Sequence, residues 1–236
     1  MSGVETAMRT VRDYEGVDIT SLIELAATAA AVDPVHLLAL LKAESGLNRK
    51  AQRVGGYEIN NEFWKRFLWW ERGDSSQGAE LQRLLNDAWP DISFGFGQQI
   101  VLFHYAGDRS GTLENVLAVR DEVFKHPEAN IADAATRFRS GIDRSLDGTA
   151  LGGMVVYNAG SDRRNDAEWM ERWAGNVASY QVALEWAEDF RTSSDPEPSL
   201  VEHLDQLWGV AQELRSARHE DLAGRIEERI IAIKNL

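Results

Sequence analysis

Residues 33–46 read Asp33-Pro34-Val35-His36-Leu37-Leu38-Ala39-Leu40-Leu41-Lys42-Ala43-Glu44-Ser45-Gly46, and this stretch decides the fold class. Asp33 is an N-cap residue, and Pro34 suits the first helical position, where no amide hydrogen is needed. Val35, Leu38 and Leu41 recur at helical spacing, so the segment predicts a helix with one buried side that ends near Glu44. Ser45-Gly46 supplies the stop. A carboxylate in the last turn opposes the helix dipole, so Glu44 is the residue in this helix that folding alone does not explain. Its neighbours from Leu38 to Ala43 are apolar apart from Lys42, and such surroundings raise a carboxyl pKa by desolvation. A plain solvated glutamate at a helix end is the competing reading of the residue taken alone.

The same helical pattern extends in both directions. Upstream, Ser21 and Glu24 have capping-box spacing, predicting an Ala-rich helix to about Ala31. Downstream, aromatic residues around Phe63 and Trp70 predict a helix, followed by others over 79–88, 112–124, 128–142 and 166–190. Ser93-Phe94-Gly95-Phe96-Gly97-Gln98-Gln99 is punctuated as a loop, and a glycine-rich gap over 147–153 precedes Met154-Val155-Val156-Tyr157-Asn158. No β-sheet is expected. The domain plan is an N-terminal segment 1–17, an all-α domain 18–190, a polar linker 191–198 and an amphipathic helical hairpin 199–236. Leu200, Leu204, Leu207, Ala211 and Leu214 form the hairpin's first stripe, a candidate surface for self-association or a virion partner.

Composition narrows the chemistry. The 236 residues contain no cysteine, which removes thiol nucleophiles, disulfides and zinc knuckles. A formal charge of −13 argues against nucleic acid as a partner, because phosphates demand Lys and Arg. The five histidines lack metal-ligand spacing and read as surface or packing residues, so no metal and no cofactor is expected. The apolar run from Leu22 to Leu41 is interrupted by Glu24, Asp33, Pro34 and His36 and predicts no membrane insertion. The first residues lack the basic and apolar regions of a signal peptide. Carboxylates, amides and aromatic side chains are left to carry the function.

Four motifs give those residues an order. Ala43-Glu44-Ser45-Gly46-Leu47-Asn48-x-x-Ala51 resembles the E-S-G-x-N-x-x-A motif of the soluble lytic transglycosylases, a lysozyme-like family that cleaves peptidoglycan. Ser93-x-Gly95-Phe96-Gly97-Gln98 resembles that family's G-L-M-Q segment, and His126-Pro127-x-x-Asn130-Ile131 its D-P-x-x-N-I helix start. Tyr157-Asn158-Ala159-Gly160 matches its Y-N-A-G motif. The resemblance spans roughly residues 20 to 190. It implies a lysozyme-like fold and Glu44 as the single acid and base. Glu44 would protonate the oxygen between N-acetylmuramic acid and N-acetylglucosamine, then draw the proton from the muramyl C6 hydroxyl to leave a 1,6-anhydro end. Ser45 would contact the N-acetyl group, Gln98 would hydrogen-bond the sugar, and Tyr157 and Asn158 would hold substrate and Glu44. Each motif also has a local reading: a helix end at Ser45-Gly46, a tight bend at Gly95 and Gly97, a capping amide at Gln98, and packing before a left-handed cap at Tyr157 to Gly160.

The chain departs from the family at three places. Arg49 follows Asn48 where proline is common, Gly97 stands at the methionine of G-L-M-Q, and the Arg53–Ile92 segment is longer than usual. That segment carries several carboxylates, of which Glu58 is the first candidate for a second catalytic group. Such a pair would make the enzyme a muramidase that hydrolyses the same bond. It also holds Trp64, Trp69, Trp70 and Trp89, which are either core or sugar platforms. The third alternative is a non-catalytic lysozyme fold serving as a structural or glycan-binding virion protein. A phage lysin or virion-associated enzyme suits the missing export signal, with host cytoplasm and delivery to the cell wall as its setting.

Overall fold

The computed structural model describes residues 8–101 and 110–192, and the chain is mostly helical. The linker beyond Thr192 and the hairpin 199–236 lie outside the described residues. The expected central helix, α2 (Pro34–Ser45), forms as its caps predict: Asp33 accepts from the Val35 amide at 2.8 Å, and Gly46 closes the helix in the left-handed region at φ 64°. Its burial differs from the one-sided expectation. Val35, Leu37, Leu38, Ala39, Leu40 and Leu41 are all buried, so α2 is enclosed on every side along most of its length.

Around α2 pack α1 (Thr20–Ala30), α6 (Pro127–Arg144), α7 (Ala150–Ala159) and α8 (Ala167–Glu188), and their apolar faces make one core with Phe96 and Phe138. α8 runs antiparallel to α2: Asp33 pairs with Arg191 at 2.8 Å, His36 lies 3.8 Å from Glu188, and the Lys42 ammonium sits over Trp186. A second core joins α3 (Tyr57–Glu71), α4 (Gly78–Ala88) and α5 (Leu113–Lys125) around Phe63, Phe67, Leu81, Leu85 and Phe94. Trp64, Trp70 and Trp89 pack against it, leaving Trp69 as the exposed indole of that segment. No single described helix is long and apolar enough to cross a membrane; α1 and α2 pass such a test only as a pair bent by 114°.

Four expectations need correction. A small antiparallel sheet is present, in the order β1 (Gln52–Val54), β2 (Ile92–Phe94), β3 (Gln99–Ile100), with Arg53 opposite Ser93 and Ser93 opposite Ile100. Strands of two or three residues are too short to display an alternating pattern, which is why the sequence hides them. The capping box at Ser21 does not form either. The helix begins at Thr20, whose amide bonds the Asp18 carboxylate at 3.0 Å, while Glu24 accepts from the Met8 amide at 2.9 Å. Finally, the glycine-rich gap over 147–153 ends early. Thr149 caps α7 through the Gly152 amide, and Gly152 and Gly153 lie inside the helix. A Cβ on Gly153 would meet Ile142 at 2.5 Å, so small residues here let α7 approach α6. Residues 8–17 also belong to the folded body, since Met8 and Val11 are buried in the first core.

Candidate active site

Glu44 stands in the last turn of α2, beyond the helix's buried stretch and after the exposed Lys42 and Ala43. Its carboxyl keeps partial contact with solvent but is crowded by protein. Burial raises its pKa from 4.5 to about 7, against the opposing effects of a hydrogen bond from Asn158 and the positive charge of Arg53. The Asn158 amide nitrogen donates to Glu44 Oε1 at 2.9 Å, across 114 residues of sequence. Asn158 is positioned by the end of α7, which Gly160 closes in the left-handed region at φ 76°. A group with a pKa near 7 carries its proton about half the time at neutral pH and can serve as acid or base.

Arg53 comes from the sheet, on the side of the second core. Its guanidinium bonds Gly55 O at 3.1 Å and Asp91 Oδ2 at 3.0 Å, which fixes the direction of its field. Two tyrosines complete the surroundings. The Tyr157 hydroxyl donates to Gly97 O at 2.7 Å, and burial and the Glu44 charge keep its pKa well above the phenol range. Tyr180 on α8 is buried, with its pKa raised by burial and by the Glu44 charge. Asn176, one turn back, lies close enough to ease ionisation of Tyr180, yet the hydroxyl oxygen has no well-aligned hydrogen-bond partner. A buried hydroxyl whose hydrogen bond is poorly aligned recovers only part of its lost hydration.

The Gly95–Gln98 turn links β2 to β3 and is clamped from two helices. Asn130 Oδ1, buried at the start of α6, accepts from the Gly97 amide at 3.1 Å, while Tyr157 bonds the Gly97 carbonyl. There is no room for a side chain: a Cβ on Gly97 would lie 2.8 Å from both Ala134 Cβ and the Tyr157 hydroxyl. Gln98 adopts φ 45°, a strained conformation for a residue with a side chain. Its amide is engaged locally, accepting from Ser93 Oγ at 3.1 Å and donating to Gly95 O at 3.1 Å.

No family model, curated protein or solved structure matches the chain. The site is therefore read from its own geometry. Of the sequence-selected residues, Glu44 and Asn158 touch, and Tyr157 faces the glycine turn within reach of the Glu44 charge. Ser45 turns onto its own helix, donating to Leu41 O at 2.9 Å, and Gln98 is held within its turn. Glu58 is exposed in the first turn of α3, and the charge that acts on Glu44 is that of Arg53. Among the described residues no three His, Asp or Glu side chains gather as a metal site. Sequence reasoning assigned no role to Arg53, Tyr180 or Asn130. Only the placement of Asn130 inside a quoted motif offered a signal for any of them. A cavity of about 640 Å³ lined by Val32, His36, Ile142 and Leu151 lies toward the other end of α2, about 12 Å along the helix from Glu44.

Proposed function

We propose that the chain is a peptidoglycan lytic transglycosylase with a lysozyme-like domain, acting through Glu44 alone. The observation that carries the reading is one carboxyl group with a pKa near 7, held by an amide from a distant helix. Protonated Glu44 delivers its proton to the glycosidic oxygen as the bond between N-acetylmuramic acid and N-acetylglucosamine breaks. The resulting carboxylate takes the proton of the muramyl C6 hydroxyl, whose oxygen closes on C1 as an internal nucleophile. An intramolecular attack has the orientational advantage that a free water lacks. Asn158 and Arg53 favour the ionised form and so support the second half of the cycle, while burial favours the protonated form needed for the first.

Ser45 Oγ gives its hydrogen to Leu41 O and keeps lone pairs that suit the N–H of an acetamido group. Gln98 retains a second amide hydrogen for a sugar hydroxyl. Tyr157 acts by fixing the glycine turn that carries Gln98. These roles support the substrate class.

Mass spectrometry of sacculi digested by the purified protein tests the reading. Muropeptides with 1,6-anhydro ends are expected from the wild type and none above background from Glu44→Gln. Reducing muramyl ends would overturn it in favour of a muramidase, with Glu58 the first carboxylate to replace. Equal release by wild type and Glu44→Gln would remove Glu44 from the chemistry and favour a structural or glycan-binding virion protein.

A further inference from the structure

Trp169 and Trp173 stack on α8 with ring planes 3° apart and centroids 5.2 Å apart, and both rings are half-buried. At 100° per residue, Trp169, Trp173 and Tyr180 fall within about 20° of one line along the helix, with Asn176 beside it. Tyr180 marks where this line meets Glu44. Because α8 runs antiparallel to α2 and α2 ends at Ser45, the line continues past the end of α2 toward Trp173 and Trp169. At 1.5 Å per residue, the two indoles stand about 10 and 16 Å beyond Tyr180. The side chains along it are therefore an acid, a phenol hydroxyl, an amide and two aromatic rings, none of them charged beyond Glu44.

We propose that the Trp169–Trp173 pair is a glycan subsite that extends the Glu44 site along α8. Its occupant is a neutral N-acetylated β-1,4-linked sugar lying with its C–H face on the Trp173 ring. The proposal rests on reading Glu44 as the acid of a glycan-cleaving site. Each feature of the line answers a feature of that ligand. Indole offers a flat apolar surface with a polar edge, the combination that a sugar ring with its hydroxyl rim requires. Asn176, exposed on the helix, can give and accept hydrogen bonds with an acetamido group, and the Tyr180 hydroxyl, whose contact with Asn176 is poorly aligned, gains a better-aligned partner. The uncharged line also accounts for how a chain of charge −13 holds an anionic wall polymer: the contact is made to the neutral sugars.

The test is calorimetric titration of the full-length Glu44→Gln protein with N,N′,N″,N‴-tetraacetylchitotetraose, which this variant does not cleave. Adding Trp173→Ala is expected to weaken binding about tenfold, and Trp173→Phe to keep it within about twofold. Alanine binding within twofold of the parent, or no binding by the parent, would overturn the proposal. A second reading covers the case in which the alanine variant does not fold. The indole N–H resonance of Trp173, assigned by its loss in Trp173→Phe, must shift on titration, and a stationary resonance overturns the subsite. Failure of the two readings can be told apart. Chitotetraose binding through Trp173 without cleavage of sacculi would sink the transglycosylase alone, and cleavage with no role for Trp173 would sink the subsite alone.

Discussion

Replacing Glu44 by glutamine should make the protein more stable above neutral pH and leave it nearly unchanged in acid. The carboxyl has a pKa of 4.5 as a free side chain and about 7 in the fold, so the folded state holds the proton more tightly than the unfolded chain. Below pH 4 both states are protonated and the residue costs nothing. As pH rises through 4.5 the unfolded chain ionises first and gains, and the penalty grows until the folded carboxyl ionises near 7. At pH 8 the full difference is about 3 kcal/mol, and the partial exposure of the residue to solvent reduces it to about 1–3 kcal/mol. Glutamine keeps the shape and still accepts the Asn158 hydrogen bond, but it never pays for a buried charge. The midpoint of thermal unfolding should therefore lie about 3–9 °C higher for Glu44→Gln at pH 8, shrinking to about 1 °C at pH 4. Differential scanning calorimetry of both proteins at the two pH values measures this, because other acid effects act on both alike. A difference that is the same at pH 4 and pH 8, or a glutamine variant less stable at pH 8, would refute the claim that Glu44 is destabilised by burial.

If the protein acts as proposed, the same carboxyl sets the pH dependence of cleavage. The rate of sacculus digestion, which starts from protonated Glu44, should fall above about pH 7. Arg53→Gln removes a positive charge that favours the carboxylate, so that limb should move to higher pH, while Arg53→Lys holds it in place. Gly97→Ala should lower stability by about 1–3 kcal/mol in urea unfolding, because its Cβ meets Ala134 and the Tyr157 hydroxyl; an unchanged midpoint would show that the turn is not clamped. Asp33→Ala should cost about 1–2 kcal/mol by loss of the α2 cap and of the Arg191 pair, read in the same assay.

How far the sequence reached depended on whether the signal was local. α2 was legible from end to end because its start and stop are written in single residues, Asp33-Pro34 and Gly46, whose backbone preferences need no tertiary help. The same holds for the start of α6 at Pro127. Glu24 shows the reverse. Its spacing from Ser21 satisfies a capping box, but the tertiary partner, the Met8 amide, takes the carboxylate and the N-cap lies two residues earlier, at Ile19. The sheet was invisible because its strands are shorter than any pattern that could announce them. At the site, Glu44 was marked by its misfit with the helix dipole and its apolar flanks, which burial then accounts for. The contact with Asn158 had no such mark in the residues themselves and entered through a resemblance between motifs. Tyr180 had none at all, since a tyrosine on a helix face announces burial but not what its hydroxyl will face.

A helix that buries Val35 and every residue from Leu37 to Leu41 cannot shift its end without disturbing the core, so Glu44 is held within a narrow range of positions. The chain just beyond is tied down as well: Leu47 O accepts from the Tyr14 amide, and Arg49 pairs with Glu15. An acid that must give a proton to one oxygen and take one from another benefits from that rigidity, since both transfers need short approach. The rigidity has an electrostatic consequence. A carboxyl that cannot swing out to water when it ionises keeps its raised pKa, whereas one on a mobile loop would relax to an ordinary value. Loosening the anchor should thus act on chemistry through the pKa: Tyr14→Pro, which deletes the amide bonded to Leu47, should lower the limb of the pH–rate profile toward the free value. A limb that stays near pH 7 while stability drops would separate the anchor from the acid and leave burial by α7 and α8 as the sole cause.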